Sequence, residues 1–201
     1  MRKKKGTNKM KKIMIAASAI LLGVVANAAS VTWIMSNVYQ PGSTDTRIAE
    51  GNGLVYLFCA EDYSVASVNS LLSNTETSLA DKIATLNNNS IGKTALTGSG
   101  RVSTSMAWDK AAGSYSFYAV IFADNAVAEG GKFIATATST EYGWDNAADT
   151  AVAVGNQKTL TQDLSNWSSV ATQATTDVPE PTSGLLLLLG VAGLALKRKR
   201  A

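Results

Sequence analysis

The chain has 201 residues with 18 Lys and Arg, 15 Asp and Glu, one cysteine and no histidine, a length that suits one modest domain with appendages. Seven cations precede Ile13 and four occupy positions 197–200, so the stretch 29–177 keeps seven cations against 14 carboxylates, a net charge of −7. That balance argues against nonspecific nucleic-acid binding, which needs positive charge near phosphate, while the absent histidines and lone cysteine exclude histidine-dependent triads, ordinary Cys/His zinc sites and an intrachain disulfide.

Residues 1–12 are strongly basic, 13–25 are mostly apolar, and Ala26-Asn27-Ala28 supplies the small residues that precede secretory cleavage. This order reads as a signal peptide over 1–28, with a hydrophobic helix addressed to the secretion machinery and a cut after Ala28. The mature domain is expected over 29–155. With one cysteine, the oxidising space outside the cytoplasm offers it no internal crosslink, so packing must hold it together.

Alternation of Val31, Trp33 and Met35 predicts a strand over 31–38, closed by a turn at Pro41-Gly42. Residues 54–60 and 115–123 are apolar on both alternating sides and predict central strands covered on both faces. Cys59 falls in the first of these and is expected as a small core side chain, since no histidine or local cation would activate it. Between them Val65, Val68 and Leu72, then Leu79, Ile83 and Leu86, recur at helical spacing and predict two short helices or one interrupted helix.

Further strands are expected over 91–97, 102–108 and 133–140, and an edge strand over 149–154, with turns at Gly98-Ser99-Gly100, Ala112-Gly113 and Gly130-Gly131. Regular strand-helix alternation is not sustained. The expected fold class is therefore mainly β, an antiparallel sandwich or sheet with a short helical insertion, plus hydrophobic helices at the two ends. Residues 156–177, rich in Ser, Thr, Gln and Asp, read as a polar terminal extension or linker.

The final segment, 178–201, opens on Val178, Pro179, Glu180 and Pro181. Thirteen uncharged residues follow over 184–196, five of them consecutive leucines, and Lys197, Arg198, Lys199 and Arg200 close it. As a helix at 1.5 Å per residue the apolar run covers roughly 20 Å, short of a bilayer core of about 30 Å. Local thinning and snorkelling of the basic side chains close that gap. The basic end reads as a stop-transfer signal with a cytoplasmic tail, which places the acidic domain across the bacterial membrane. This combination resembles the terminal sorting signal of bacterial PEP-CTERM proteins, a tail also described as an ice-binding-protein carboxy-terminal domain. The resemblance is carried by residues 178–201 and is specific for sorting alone. It implies that Pro179, Glu180 and Pro181 are substrate residues for an exosortase-like processing enzyme. It also implies a final location at the cell surface or in an exopolysaccharide-rich extracellular matrix.

No phosphate cradle, calcium loop or other cofactor or metal motif is present in the sequence. Glu61 and Asp62 are expected as a solvated pair at a loop or helix start. Trp108, Tyr142 and Trp144 are candidate glycan contacts if loops bring them together, with local edge packing as the alternative. The expected function is noncatalytic: an exported, envelope-anchored or matrix-associated surface protein. The alternatives are a carbohydrate-binding adhesion module and a glycoside hydrolase using two acidic residues.

Overall fold

A computed structural model describes residues 29–145 and 148–174. The expected hydrophobic helices, the sorting motif and the basic end lie outside the described residues. The chain runs β1 (Ser30–Ser36), β2 (Leu54–Cys59), α1 (Val65–Ser73), α2 (Leu79–Asn89), β3 (Gly92–Ala95), β4 (Val102–Ala107), β5 (Gly113–Tyr115), β6 (Phe117–Phe122), β7 (Lys132–Ala135), β8 (Tyr142–Trp144), β9 (Thr150–Asn156), α3 (Lys158–Gln162), a 3-10 turn (Leu164–Asn166) and β10 (Ser168–Ser169).

Strands apolar on both sides need cover on both faces, and β2 and β6 receive it. They pair antiparallel from Leu54↔Phe122 to Cys59↔Phe117, inside a five-stranded sheet ordered β10-β7-β6-β2-β3. On one face Val55, Leu57, Phe117, Ala119 and Ile121 pack with Val31, Trp33, Met35, Val102 and Val152, which belong to a three-stranded sheet ordered β4-β1-β9. On the other, Tyr56, Phe58, Tyr118, Val120 and Phe122 meet Val68 and Leu72 of α1 and Leu86 of α2. Period-two alternation thus sorts each central strand between two apolar clusters. The result is three layers, with the smaller sheet, the larger sheet and the helix pair in that order.

Both helices start where a serine accepts from the first turn. Ser64 Oγ accepts from Ser67 N at 3.1 Å, and Ser78 Oγ accepts from Asp81 N at 3.2 Å, each satisfying an amide the helix leaves open. Close approach explains Gly92: a Cβ there would stand 2.1 Å from Met106 Sδ, so any side chain would displace that of Met106.

The smaller sheet is mixed, and this corrects the purely antiparallel expectation. β1 pairs antiparallel with β4 and parallel with β9. Both partners come from distant sequence, so no hairpin dictates direction, and the long intervening chain serves as the crossover that a parallel pair requires. The β1–β9 register shifts between Ile34 and Met35, whose partners are Ala153 and Gly155.

Strand boundaries also differ from expectation: β1 stops at Ser36, β3 at Ala95, and β9 runs on to Asn156. The run 115–123 divides, because Tyr115 ends β5 and pairs with Tyr142 of β8. The strand expected over 133–140 stops at Ala135, after which hydroxyls replace carbonyls: Thr136 Oγ1 accepts from Ala119 N at 3.0 Å and Ser139 Oγ from Phe117 N at 2.9 Å. Side-chain acceptors of this kind compete with the regular ladder.

Residues 156–174, expected as part of an extension or linker, are folded onto the body. Thr161, Trp167 and Val170 are buried, Trp167 Nε1 donates to Thr161 O at 2.8 Å, and Ser168 pairs with Phe133. Backbone bonds continue from Ala171 N to Leu72 O and from Ala174 N to Thr75 O, both 2.8 Å. Polar composition concealed this because two large apolar anchors and main-chain pairing hold the segment. The folded body therefore continues past 155 to at least 174.

Candidate functional site

The three glycan-contact candidates converge at one end of the sandwich. The rings of Trp108 and Trp144 lie 4.9 Å apart, Trp108 meets Tyr115 at 5.1 Å and Phe117 at 5.5 Å, and Tyr142 meets Phe117 at 6.1 Å. Trp144 is only 2% exposed and its Nε1 donates to Lys110 O at 2.9 Å. The Tyr142 hydroxyl accepts from Ala153 N at 3.2 Å and lies 3.3 Å from Ala153 O, to which it donates. These contacts pack the three aromatics against one another and the body: Trp144 is buried and presents no free ring to a sugar, while Trp108 and Tyr142 are half-buried.

Beside them lie Cys59, Glu61, Asp62 and Lys110. Cys59 Sγ donates to Glu61 Oε2 at 3.2 Å, and the two Glu61 oxygens accept from Ser116 N at 2.9 and 3.1 Å. Burial pushes the Cys59 thiol up to about 12, helped by the hydrogen bond to Glu61. This holds it in the unreactive thiol form. Partial burial pulls Glu61 upward, but hydrogen bonds from Cys59, its own backbone and Ser116 outweigh it and hold the carboxyl below its ordinary value. Asp62 forms an ion pair with Lys110, whose ammonium stands 5.5 Å from the centre of the Tyr115 ring.

Other carboxylates also fasten backbone. Asp149 accepts from Ser30 N at 2.9 Å and Ser30 Oγ at 2.8 Å, and these bonds lower its pKa. Asp163 does the same for Ser165 at the start of the 3-10 turn. Among the described residues no group of three or more Cys, Asp or Glu side chains could hold a metal ion, and no helix is long and apolar enough to cross a membrane.

Lys82 is the residue that sequence reading missed. It lies on the buried face of α2 at 0% exposure, and its Nζ donates to Ala171 O at 2.7 Å and Leu72 O at 3.4 Å. Two carbonyls, one from α1 and one from the terminal strap, thus hold the ammonium. The only sequence signal was its position four residues before Leu86 on an apolar stripe.

Residues 177–200 match the family described as the PEP-CTERM protein-sorting motif. The matched span contains Val178, Pro179, Glu180 and Pro181 and the basic run Lys197, Arg198, Lys199 and Arg200. The chain therefore carries a sorting signal of exported bacterial surface proteins in its carboxy-terminal segment. No curated protein and no solved structure matches the chain.

Proposed function

We propose that this chain is a noncatalytic exported protein whose acidic body is displayed at the envelope or retained in the extracellular matrix. An exosortase-type enzyme processes it at Val178-Pro179-Glu180-Pro181. The carrying observation is the sorting motif over 177–200. The structural use of Glu61, Asp62, Asp149 and Asp163 supports the noncatalytic reading, because each of these carboxylates is engaged by an ion pair or by backbone or side-chain donors.

Chain geometry adds a constraint on processing. Ala174 is tied to Thr75, and the five residues from there to Pro179 reach at most about 18 Å even when fully extended. The processing enzyme thus meets its motif close beside the folded body. Replacing Pro179 and Glu180 together with alanine tests the proposal by fractionation and intact mass in the producing bacterium. The unmodified chain is expected to lose its tail and reach the surface or matrix, while the variant keeps its tail and stays in the membrane. Identical processing of both would refute the assignment.

A further inference from the structure

One recess carries chemistry that the aromatic end lacks. It has a volume of about 480 Å³ and lies against β1 and β4, lined by Ile34, Ser36, Thr97, Arg101 and Ser103 among others. That volume falls in the range of small-ligand sites, about 300 to 1,000 Å³. Arg101 leaves a tight turn in which Arg101 N donates to Gly98 O at 3.0 Å and Thr97 N to Arg101 O at 2.9 Å. Gly100 in that turn has φ +62, and a Cβ there would stand 2.6 Å from Val38 O, so the turn is held against the body.

The guanidinium of Arg101, like the ammonium of Lys158, makes no ion pair, side-chain hydrogen bond or ring contact among the described residues, and of the two only Arg101 lines the recess. Lys110, by contrast, pairs with Asp62, Lys132 donates to Ser169, Lys93 donates to Asn87, and Arg47 lies over Tyr39. Ile34 supplies the second feature. It is 48% exposed, one of only two large hydrophobic side chains so exposed among the described residues, and its β4 partner is Ser103. The third feature is a row of hydroxyls. Thr97 Oγ1 already accepts from Ser103 N at 3.0 Å, which leaves its O–H free to donate. Farther along the same outer face Thr32 and Ser105 hydroxyls meet at 2.5 Å. From Ser30 to Ser36 the face extends about 20 Å.

We infer that this recess binds a carboxylate-bearing saccharide, with Arg101 on the carboxylate, Ile34 against the C–H face of the ring and the Ser and Thr hydroxyls on the sugar hydroxyls. A planar guanidinium fork matches a carboxylate bidentately, and the row of uncharged hydroxyls suits a polyol. The net charge of −7 over 29–177 opposes adhesion to polyanions in general, so recognition rests on one local contact rather than a broad field. An acidic peptide added to a sheet edge fits less well. Thr97 already occupies Ser103 N on β4, and Tyr142 occupies both Ala153 backbone groups on β9, which blocks strand addition at both edges at those points.

This inference rests on the proposed display outside the cytoplasm for where the saccharide is met, and its test is independent of export. Calorimetric titration of the detergent-solubilised full chain uses a galacturonate trimer, its methyl ester, a glutamate-containing tripeptide and inorganic phosphate. The trimer is expected to bind saturably. Methyl esterification or Arg101→Gln should weaken it by about tenfold or more, the scale of a charge-assisted bidentate contact. Ser103→Glu, which keeps Arg101 but puts a competing carboxylate into the same recess, should weaken it similarly, and Lys132→Gln on the other sheet should leave it unchanged.

No binding by the unmodified chain, equal binding of the ester, or unchanged affinity in both recess variants would overturn the assignment. So would tripeptide or phosphate binding as tightly as the trimer. Failure here with surface localisation intact removes only the recess; binding without surface localisation removes only the proposed display.

Discussion

Lys82 offers the sharpest test of how the terminal strap is held. Replacing it with alanine takes away the ammonium that reaches Ala171 O at 2.7 Å and empties the space of its fully buried stem. An acceptor left without its partner costs about 1–3 kcal/mol, and deleting a buried aliphatic stem costs about 2–5 kcal/mol. These effects share one site and are not additive, so the expected loss is about 3–5 kcal/mol, against at most about 0.5 kcal/mol for an ordinary surface lysine. Lys82→Met keeps most of the volume and also removes a buried charge whose desolvation opposed folding, so its expected loss is only about 1–2 kcal/mol. Urea unfolding of the full chain, with limited proteolysis mapping cuts after Trp167, measures both. The alanine variant should be cleaved in the strap well before the methionine variant. An alanine variant within about 0.5 kcal/mol of the unmodified chain would refute the idea that this amine clamps the strap.

The remaining predictions test the aromatic end and the turns. Because burial holds Cys59 as a thiol, a thiol-specific disulfide reagent should leave it unlabelled in the native protein near neutral pH and label one site after unfolding; rapid native labelling would contradict this. Glu61 has a folded-state pKa below its ordinary value, so its stabilisation is complete above the ordinary carboxyl range and is lost as pH falls through the folded value. Glu61→Gln should therefore lower stability near neutral pH and flatten its decline between about pH 7 and pH 3, measured as urea midpoints. Gly100→Ala should destabilise by about 1–3 kcal/mol through positive-φ strain and the contact with Val38 O. Trp144→Ala should cost about 3–5 kcal/mol by thermal or urea unfolding, because it empties the centre of the aromatic end.

The central strands were legible because Val55 to Cys59 and Phe117 to Phe122 must be covered on both faces wherever they sit. The helix pair was legible for the same local reason, since Val68, Leu72 and Leu86 recur at helical spacing and are buried. Strand direction was not, because the parallel pairing of Val31 with Thr150 joins residues more than a hundred positions apart. Nor was the packing of 156–174, where Trp167 and Val170 anchor an otherwise polar stretch. Of the site, Trp108, Tyr142 and Trp144 were recognised and do converge, yet only the tertiary structure shows Trp144 turned inward. Arg101 follows the expected Gly98-Ser99-Gly100 turn and nothing in the local sequence marks it, because the recess beside it depends on Ile34 arriving from a strand 67 positions earlier.

The most direct test of the central claim is the intact mass and terminal sequence of the protein recovered from each fraction of the producing bacterium. The account predicts a species in the surface or matrix fraction that begins at Ala29 and has been processed near Pro179-Glu180-Pro181. A full-length, uncut chain recovered in water-soluble form from the cytosol would contradict it.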